Sequence, residues 1–262
     1  VKLNAGQEVP MRVLPSSTMV ERLSEAIKNK SLPVCDRAAL VTDGYALVKS
    51  GHMKPLDLIK LLASYTNEDA YIVWQGLADV LSGLDTVTQD DEDMNCNFRK
   101  FARNLVISLQ DKVGWEKQAE DGHLTVLLRS IMTGLLSKFC HKDASVANEA
   151  KTRFAKFQED PNDMQNLPSD MRSSVFKIIL KNGGKKEWDE VKNYFFTSTD
   201  QAERKVVLGT LGASNDAKMK LQTLQWSISG EVKLQDFFYL MGSVGHSSRA
   251  GAEISWQFFR DN

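Results

Sequence analysis

Histidine is scarce in this sequence of 262 residues, which contains only His52, His123, His141 and His246. A zinc hydrolase places two histidines four residues apart on one helix, with a glutamate between them. No histidine here is followed by glutamate, and no two lie within two helical turns. His123 and His141 span a whole expected helix, about 27 Å, and so cannot share a metal ion. We therefore interpret His123, in GHLTVLLR, as a residue that begins a helix.

Cysteine is equally rare, since Cys35, Cys96 and Cys140 are odd in number and far apart in the chain. A disulfide framework is not expected, and free thiols in a reducing compartment fit better. Cys140 and His141 are sequence neighbours, but neighbours on a helix point about 100° apart. That geometry argues against a thiol nucleophile paired with its own base.

Neither charge nor apolar length favours nucleic acid or a membrane as a partner. The 33 basic and 34 acidic residues give a net charge of −1. No apolar run approaches the ~20 residues that a membrane span needs. We do not expect the first residues, VKLNAGQEVP, to be a signal peptide, and we interpret them as part of a longer protein.

Phosphate-binding and cation-binding loops are also missing. GTLGAS lacks the lysine of a phosphate loop, and KNGGKK is expected to end a helix. The acidic run at residues 90–93 falls in TVTQDDEDMNCN, which we interpret as a solvated loop. The residues alone therefore identify no active site.

What the sequence does contain is a 3.6-residue apolar period that continues almost unbroken after residue 15. Expected helix caps at Asp170, Asp200 and Asp236 are 30 and 36 residues apart, the spacing of helix pairs in an α-solenoid. A compact, irregular all-α domain is the alternative. Residues 1–15, with two prolines and a glycine, predict strand and turn.

Local signals predict where individual helices begin. Thr18 with Glu21 has capping-box spacing, and Asp36 and Asn67 are expected N-caps. The five tryptophans lie mostly on apolar helical faces and are expected in the core: Trp74, Trp115, Trp188, Trp226 and Trp256.

Several segments, taken in order, resemble a known family: VKLNAGQEVPMRV, SLPVCDRAALVTDGYALVKSG, AYIVWQGLADVL, GWEKQAEDGHLTVLLR, LPSDMRSSVFKIILKNGG and GEVKLQDFFYLMGSVGHSSRAGAEISWQFFRDN. Together they resemble the C-terminal part of M1 zinc aminopeptidases, closest to the puromycin-sensitive subgroup. The resemblance covers essentially the whole chain and depends on the order of the segments.

The resemblance implies that residues 1–15 are the tail of a β-sandwich domain. Residues 16–262 would be a helical domain, truncated at its C-terminal end. The implied fold is all-α, a HEAT- or armadillo-like α-solenoid of antiparallel helix pairs after a short β or extended N-terminal segment. The family's aromatic residues around the arginine matched by Arg12 are replaced by Val9, Pro10, Met11 and Pro15. The strand geometry there is therefore open.

The resembled family binds zinc through a His-Glu-x-x-His run and a distal glutamate, and holds the substrate's amine with a Gly-x-Met-Glu-Asn run. Neither run occurs here, so no catalytic and no metal-binding residue is assigned. Zinc is expected only in the parent enzyme, and because this chain lacks the zinc-binding runs, we predict that it is inactive by itself. The implied partners are the catalytic domain of the same polypeptide and a peptide substrate, in the cytoplasm.

By the same resemblance, the helical domain caps the catalytic domain and encloses a cavity that restricts access to the zinc. Candidates to contact the far end of a peptide are Arg172, Gln235, Asp236 and Arg249. For each of them, an ion pair or a helix cap is the competing and favoured interpretation.

Two functional hypotheses remain. The leading one is a non-catalytic, cavity-forming domain of an aminopeptidase. The alternative is a freestanding scaffold that binds a protein or peptide on its concave face. An isolated cap domain would expose the apolar surface that faces its catalytic partner, so weak self-association is expected.

Overall fold

The computed structural model describes residues 2–262, and these residues are predominantly α-helical with no β-strand. They form two compact units, of which the first ends at Leu135 and the second begins at Leu136. The predicted all-α class is confirmed, whereas the solenoid arrangement stays a prediction.

The first unit contains five helices and the start of a sixth, followed by the second unit with seven more. The helices are α1 Ser17–Lys28, α2 Val34–Lys49, α3 Pro55–Leu62, α4 Tyr71–Thr88, α5 Glu92–Val113 and α6 His123–Phe139, then α7 Ala144–Glu159, α8 Ser169–Asn182, α9 Lys185–Thr197, α10 Gln201–Leu208, α11 Ala217–Ser227, α12 Phe237–Gly245 and α13 Arg249–Asp261. Short 3₁₀ turns lie at Ala5–Gln7, Ala63–Asn67, Leu211–Ala213 and Leu234–Asp236.

The N-terminal segment does not form the expected strand. It contains the 3₁₀ turn Ala5–Gln7, and residues 8–15 are irregular. A strand requires a neighbour for its backbone groups, whereas here the side chain of Asn4 bonds to both the N–H and the C=O of Val9. Buried Asp36 holds the segment against α2 by accepting from Lys2 Nζ at 2.8 Å and Gly6 N at 2.9 Å. The assignment of residues 1–15 to a separate domain stays a prediction.

Four expected N-caps are wrong. One is Asp170, which lies in the first turn of α8 after Pro168 at the cap position. Ser16, not Thr18, caps α1 by accepting from Met19 N. Asp36 lies in the first turn of α2, after Pro33 at the cap position. Asn67 ends a 3₁₀ turn, and Glu68 accepts from the N–H groups that precede α4.

The expected loop TVTQDDEDMNCN is mostly helical. Helix α4 continues to Thr88 and α5 begins at Glu92. Asp91 caps α5 by accepting from Met94 N at 2.9 Å, and Glu92 and Asp93 lie in the first turn. Acidic side chains stabilise a helix N-terminus, so the charge run marks a helix start.

A buried ion pair between Arg37 and Glu68 fixes the polar centre of the first unit. Arg37 donates from Nε to Glu68 Oε2 at 2.6 Å and from Nη2 to Oε1 at 3.1 Å. Its Nη1 donates to Leu32 O at 2.5 Å, which fixes the connection before α2. Burial alone would raise the pKa of Glu68, but the bonds from Arg37 and from the N–H groups of Ala70 and Asp69 outweigh it and lower that pKa.

Two aromatic residues extend this network into the core. Tyr65 donates from its hydroxyl to Arg37 O at 2.8 Å, and Trp74 donates from Nε1 to Glu68 O at 3.1 Å. Both side chains are fully buried. Because burial and the adjacent Glu68 raise the pKa of Tyr65, its phenol stays protonated and remains a donor.

In the second unit, glycines allow two backbone segments to approach α12 closely. A Cβ added at Gly212 would lie 2.3 Å from Val244 N, and one at Gly251 would lie 2.3 Å from Val244 O. The approach buries Leu224, Val244 and Phe258 together, with Met241 and Ile254 packed against them.

The last residue of α8, Asn182, binds two backbone carbonyl groups through its side chain. Asn182 donates from Nδ2 to His141 O at 2.8 Å and to Ile178 O at 2.9 Å. The following residue, Gly183, donates its N–H to Ile179 O at 2.8 Å.

Tryptophan burial only partly follows the prediction. Trp74, Trp188 and Trp226 are buried, and Trp115 is half-buried. The expectation for Trp256 is wrong, because its side chain is 62% exposed and stacks on exposed Phe259. Their helix, α13, packs through its opposite face.

Removing the acidic partner of Arg37 is expected to destabilise the first unit strongly. Glu68→Ala leaves a buried guanidinium unpaired, and the free energy of unfolding should fall by about 3 kcal/mol or more. The neighbouring Asp69→Ala removes a partly exposed pair with Lys30 and should cost less than about 1 kcal/mol. Urea unfolding followed by circular dichroism compares them, and equal losses would contradict the proposed role of the buried pair.

Candidate functional site

The second unit contains a cleft in which basic and aromatic side chains meet, which we call the basic cleft. It is lined by Phe195 and Phe196 of α9, Gln201, Arg204, Lys205 and Leu208 of α10, and Glu231, Lys233 and Asp236 after α11. The four α10 residues have the spacing i, i+3, i+4 and i+7, which places them on one helical face. Asp200 fixes the start of that helix by accepting from Ala202 N at 2.8 Å.

Cations dominate the electrostatics of the basic cleft. Arg204 donates from Nε to Ser198 O at 2.9 Å, and its guanidinium lies 5.6 Å from the centre of the Phe195 ring. Lys205 Nζ lies 5.7 Å from the centre of the Tyr239 ring. In the described part of the chain, no protein acceptor lies within bonding distance of the Arg204 Nη groups, Lys205 Nζ or Lys233 Nζ.

The acidic residues of the basic cleft offset these charges only in part. Glu231 accepts from Lys192 Nζ at 3.2 Å and from Trp226 Nε1 at 2.6 Å, so it is already engaged. Asp236 lies half-exposed on the cleft wall. The cleft can therefore bind a carboxylate or another oxyanion by charge-assisted hydrogen bonds, beside an apolar surface.

Arg172, one of the expected substrate contacts, is buried. It forms an ion pair with Glu203 at 2.9 Å and donates to Tyr194 Oη at 3.0 Å. It also donates to Leu167 O at 3.2 Å and to Pro161 O at 2.7 Å. These contacts fit a residue that fixes a loop and orients its neighbours.

The other three expected contacts are more exposed. Gln235 and Asp236 share the 3₁₀ turn Leu234–Asp236, and Asp236 borders the basic cleft. Arg249 begins α13 and forms an exposed ion pair with Glu253 at 3.1 Å. The expected set thus combines one cleft residue, its neighbour and two arginines in other helices.

Sequence reasoning missed the principal cations of the basic cleft, Arg204, Lys205 and Lys233. The available signal was the cap at Asp200, which fixes the phase of α10 and so places residues 201, 204, 205 and 208 together. The partner surface, formed by Phe195 and Phe196, lies in another helix and could not be found from one helix alone.

A buried lysine lies elsewhere in the second unit. Lys220 is 3% exposed, and its Nζ donates to Gly212 O at 3.1 Å and to Ser247 Oγ at 2.5 Å. Burial lowers the pKa of Lys220 from its ordinary value to about 8. The contact ties α11 to the turn before α13.

Histidine does not form a catalytic cluster in the described residues. His123 is exposed and is the first residue of α6, as predicted. Within residues 2–262, no three His, Cys, Asp or Glu side chains converge in a way that could hold a metal ion.

The same residues include no helix long and apolar enough to span a membrane.

Comparison with known protein families shows which family this chain belongs to. The family model described as ERAP1-like C-terminal domain matches residues 1–262. The chain belongs to this family.

The relatives of this ERAP1-like C-terminal domain are aminopeptidases by name. Aminopeptidase M1-A of Oryza sativa subsp. japonica is 29% identical over 265 residues, which cover 100% of the chain and 30% of the relative. Aminopeptidase M1-B of the same plant is 27% identical over 266 residues, again 100% of the chain and 30% of the relative. Puromycin-sensitive aminopeptidase of Caenorhabditis elegans is 25% identical over 268 residues, 99% of the chain and 27% of the relative.

The domain thus spans about 30% of the length of the curated relatives it matches. The resemblance to M1 aminopeptidases is confirmed. The residues of this domain do not fit the zinc that such enzymes use, because they offer no converging ligand set within the described range. We therefore derive no reaction step through a metal here.

Titration of Lys220 is expected to make the stability of the domain depend on pH. The folded pKa of about 8 lies below the ordinary 10.5, so the unfolded state binds the proton more readily. Stability relative to Lys220→Met should rise by about 2 kcal/mol between about pH 7 and pH 9.5. Urea unfolding at each pH measures this difference. Exposed Lys218→Met should show a flat difference, and a flat difference for Lys220→Met would contradict the buried charge.

Proposed function

We propose that this domain forms the cavity-bordering, non-catalytic part of a zinc aminopeptidase that removes N-terminal residues from peptides. The family match along the whole chain supports the assignment to such an enzyme. The relatives' names favour it over a freestanding scaffold. The zinc and its ligands would belong to the catalytic domain of the same polypeptide.

The basic cleft is the observation on which the substrate role depends. An extended peptide whose amino end is at a distant zinc presents its carboxylate at the other end. Arg204, Lys205 and Lys233 offer donors for that carboxylate, and Phe195 and Phe196 offer a surface for an apolar last side chain. The cleft would thereby favour peptides that can reach from one site to the other.

The residues expected from sequence take narrower roles in this proposal. Asp236, on the wall of the basic cleft, would repel a second carboxylate, and Gln235 would contact the peptide backbone beside it. Arg172 would act by positioning, since its ion pair with Glu203 fixes α10 immediately before Arg204. Arg249 would contact substrate only after leaving Glu253.

Location and assembly remain proposals of the same kind. The three cysteines are thiols that are not joined in a disulfide, which suits a cytoplasmic protein. Weak self-association would involve exposed apolar side chains such as Trp256 and Phe259.

Peptide binding tests the role of the basic cleft. Two fluorescent peptides that differ only in a C-terminal carboxylate or amide should bind with affinities that differ by about tenfold, as expected for one charge-assisted bond. Arg204→Met should reduce the difference, because only Lys205 and Lys233 then remain to bind the carboxylate, and Lys218→Met, on the exposed face of α11, should preserve it. Equal affinities of both peptides for the unmodified domain, measured by fluorescence anisotropy, would contradict the proposal.

Metal content and turnover test the assignment of chemistry to another domain. The purified domain should hold no zinc by elemental analysis and release no fluorophore from alanyl or leucyl amides. Stoichiometric zinc with turnover that a chelator abolishes would show that this domain carries its own active site, and His123 would then be the first residue to substitute.

A further inference from the structure

Lys192 lies against three aromatic rings in the second unit. Trp188, Lys192 and Phe196 follow one another at four-residue spacing along α9, which places them on one face. Lys192 Nζ lies 5.6 Å from the centre of the Trp188 ring and 5.6 Å from that of Phe196. It lies 4.6 Å from the centre of the Trp226 ring, which comes from α11. We call Trp188, Phe196, Trp226 and Glu231 the aromatic cage.

The cage is held in place by contacts that do not involve Lys192. Trp226 donates from Nε1 to Glu231 Oε2 at 2.6 Å, and Trp188 donates from Nε1 to Thr223 Oγ1 at 2.9 Å. The two indoles are only 4% and 1% exposed. Phe196 packs beside Trp226, with ring centres 6.1 Å apart. The two indoles are therefore fixed beside one position, and Phe196 and Glu231, which are exposed, border that position where solvent reaches it.

The chemistry of that position suits a methylated ammonium better than a lysine. An ammonium is strongly hydrated and loses that hydration among aromatic rings. Methyl groups spread the charge and pack on ring faces, and aromatic cages with a carboxylate are a common way to bind such cations. Lys192 keeps a single acceptor, Glu231 Oε2 at 3.2 Å, and its side chain is 23% exposed.

The geometry points to the aromatic cage as a binding site for a methylated ammonium group, with Lys192 as its resident intramolecular occupant. The site is adjacent to the basic cleft, because Phe196 and Glu231 line both. A ligand can approach through that cleft while the flexible stem of Lys192 moves outward. This inference does not depend on the proposed peptidase role.

Because Lys192 occupies the aromatic cage, we expect its side chain to compete with an added methylated ammonium ion. A ligand must displace the lysine in the unmodified domain, whereas Lys192→Ala leaves the cage open. Tetramethylammonium should then bind about tenfold more tightly to the variant, the change expected from removing one cation–π competitor. Indole N–H signals of Trp188 and Trp226 in nitrogen-15 NMR spectra report binding at the cage itself.

Three comparisons make the experiment specific. Lys218→Ala should bind tetramethylammonium as weakly as the unmodified domain. Adding Phe196→Ala to Lys192→Ala should remove the gain. The uncharged analogue 3,3-dimethylbutanol should not bind. The affinities of choline and of an amide of trimethyllysine are then compared. Tighter binding of choline indicates a small free ligand, and tighter binding of trimethyllysine indicates a modified protein side chain.

The unmodified domain supplies an independent measurement should Lys192→Ala fold poorly. There, tetramethylammonium should shift the same two indole signals at higher concentration, and added choline should compete. Absence of a saturable shift in both proteins would overturn the proposal. Equal binding of 3,3-dimethylbutanol would overturn it as well, because the site would then be only an apolar pocket.

Discussion

Four buried guanidinium groups hold the connections between helices, and much of the fold depends on them. Each binds a carboxylate and at least one backbone carbonyl of a connecting segment: Arg37 with Glu68 and Leu32 O, Arg129 with Asp121 and Gly114 O, Arg153 with Glu149 and Asn166 O, and Arg172 with Glu203 and Leu167 O. Helix ends leave carbonyl groups without partners. A planar group with five donors can satisfy several of them at once and fix the direction of the next helix.

The same arrangement connects the fold to the basic cleft. Arg172 of α8 pairs with Glu203, and the next residue in the chain is Arg204, which faces the cleft. The loop at residues 160–168 is held by Arg153 and Arg172 together. The basic cleft is lined by three separate segments, and the ion pair of Arg172 with Glu203 helps to fix one of them, α10.

The sequence allowed the helices to be predicted, but not the partners of its charged residues. Apolar periodicity is local, and it correctly placed α6 at His123 and α13 at Arg249. Asp36 lies in the first turn of α2 and accepts from Lys2 and Gly6, and a local pattern does not identify such partners because they are distant in sequence. The basic cleft was missed for the same reason, since its aromatic wall and its cations come from different helices.

The hydrogen bonds at the C-terminal end of α8 also affect how fast the chain is chemically modified there. Asn182 is followed by glycine, the pair most prone to spontaneous deamidation, which begins when the glycine nitrogen attacks the asparagine side-chain carbonyl. Here that nitrogen is held on Ile179 O, and the side-chain amide is held by His141 O and Ile178 O. Attack requires both groups to leave these partners, so we expect deamidation at this position to be slow for as long as α8 stays folded.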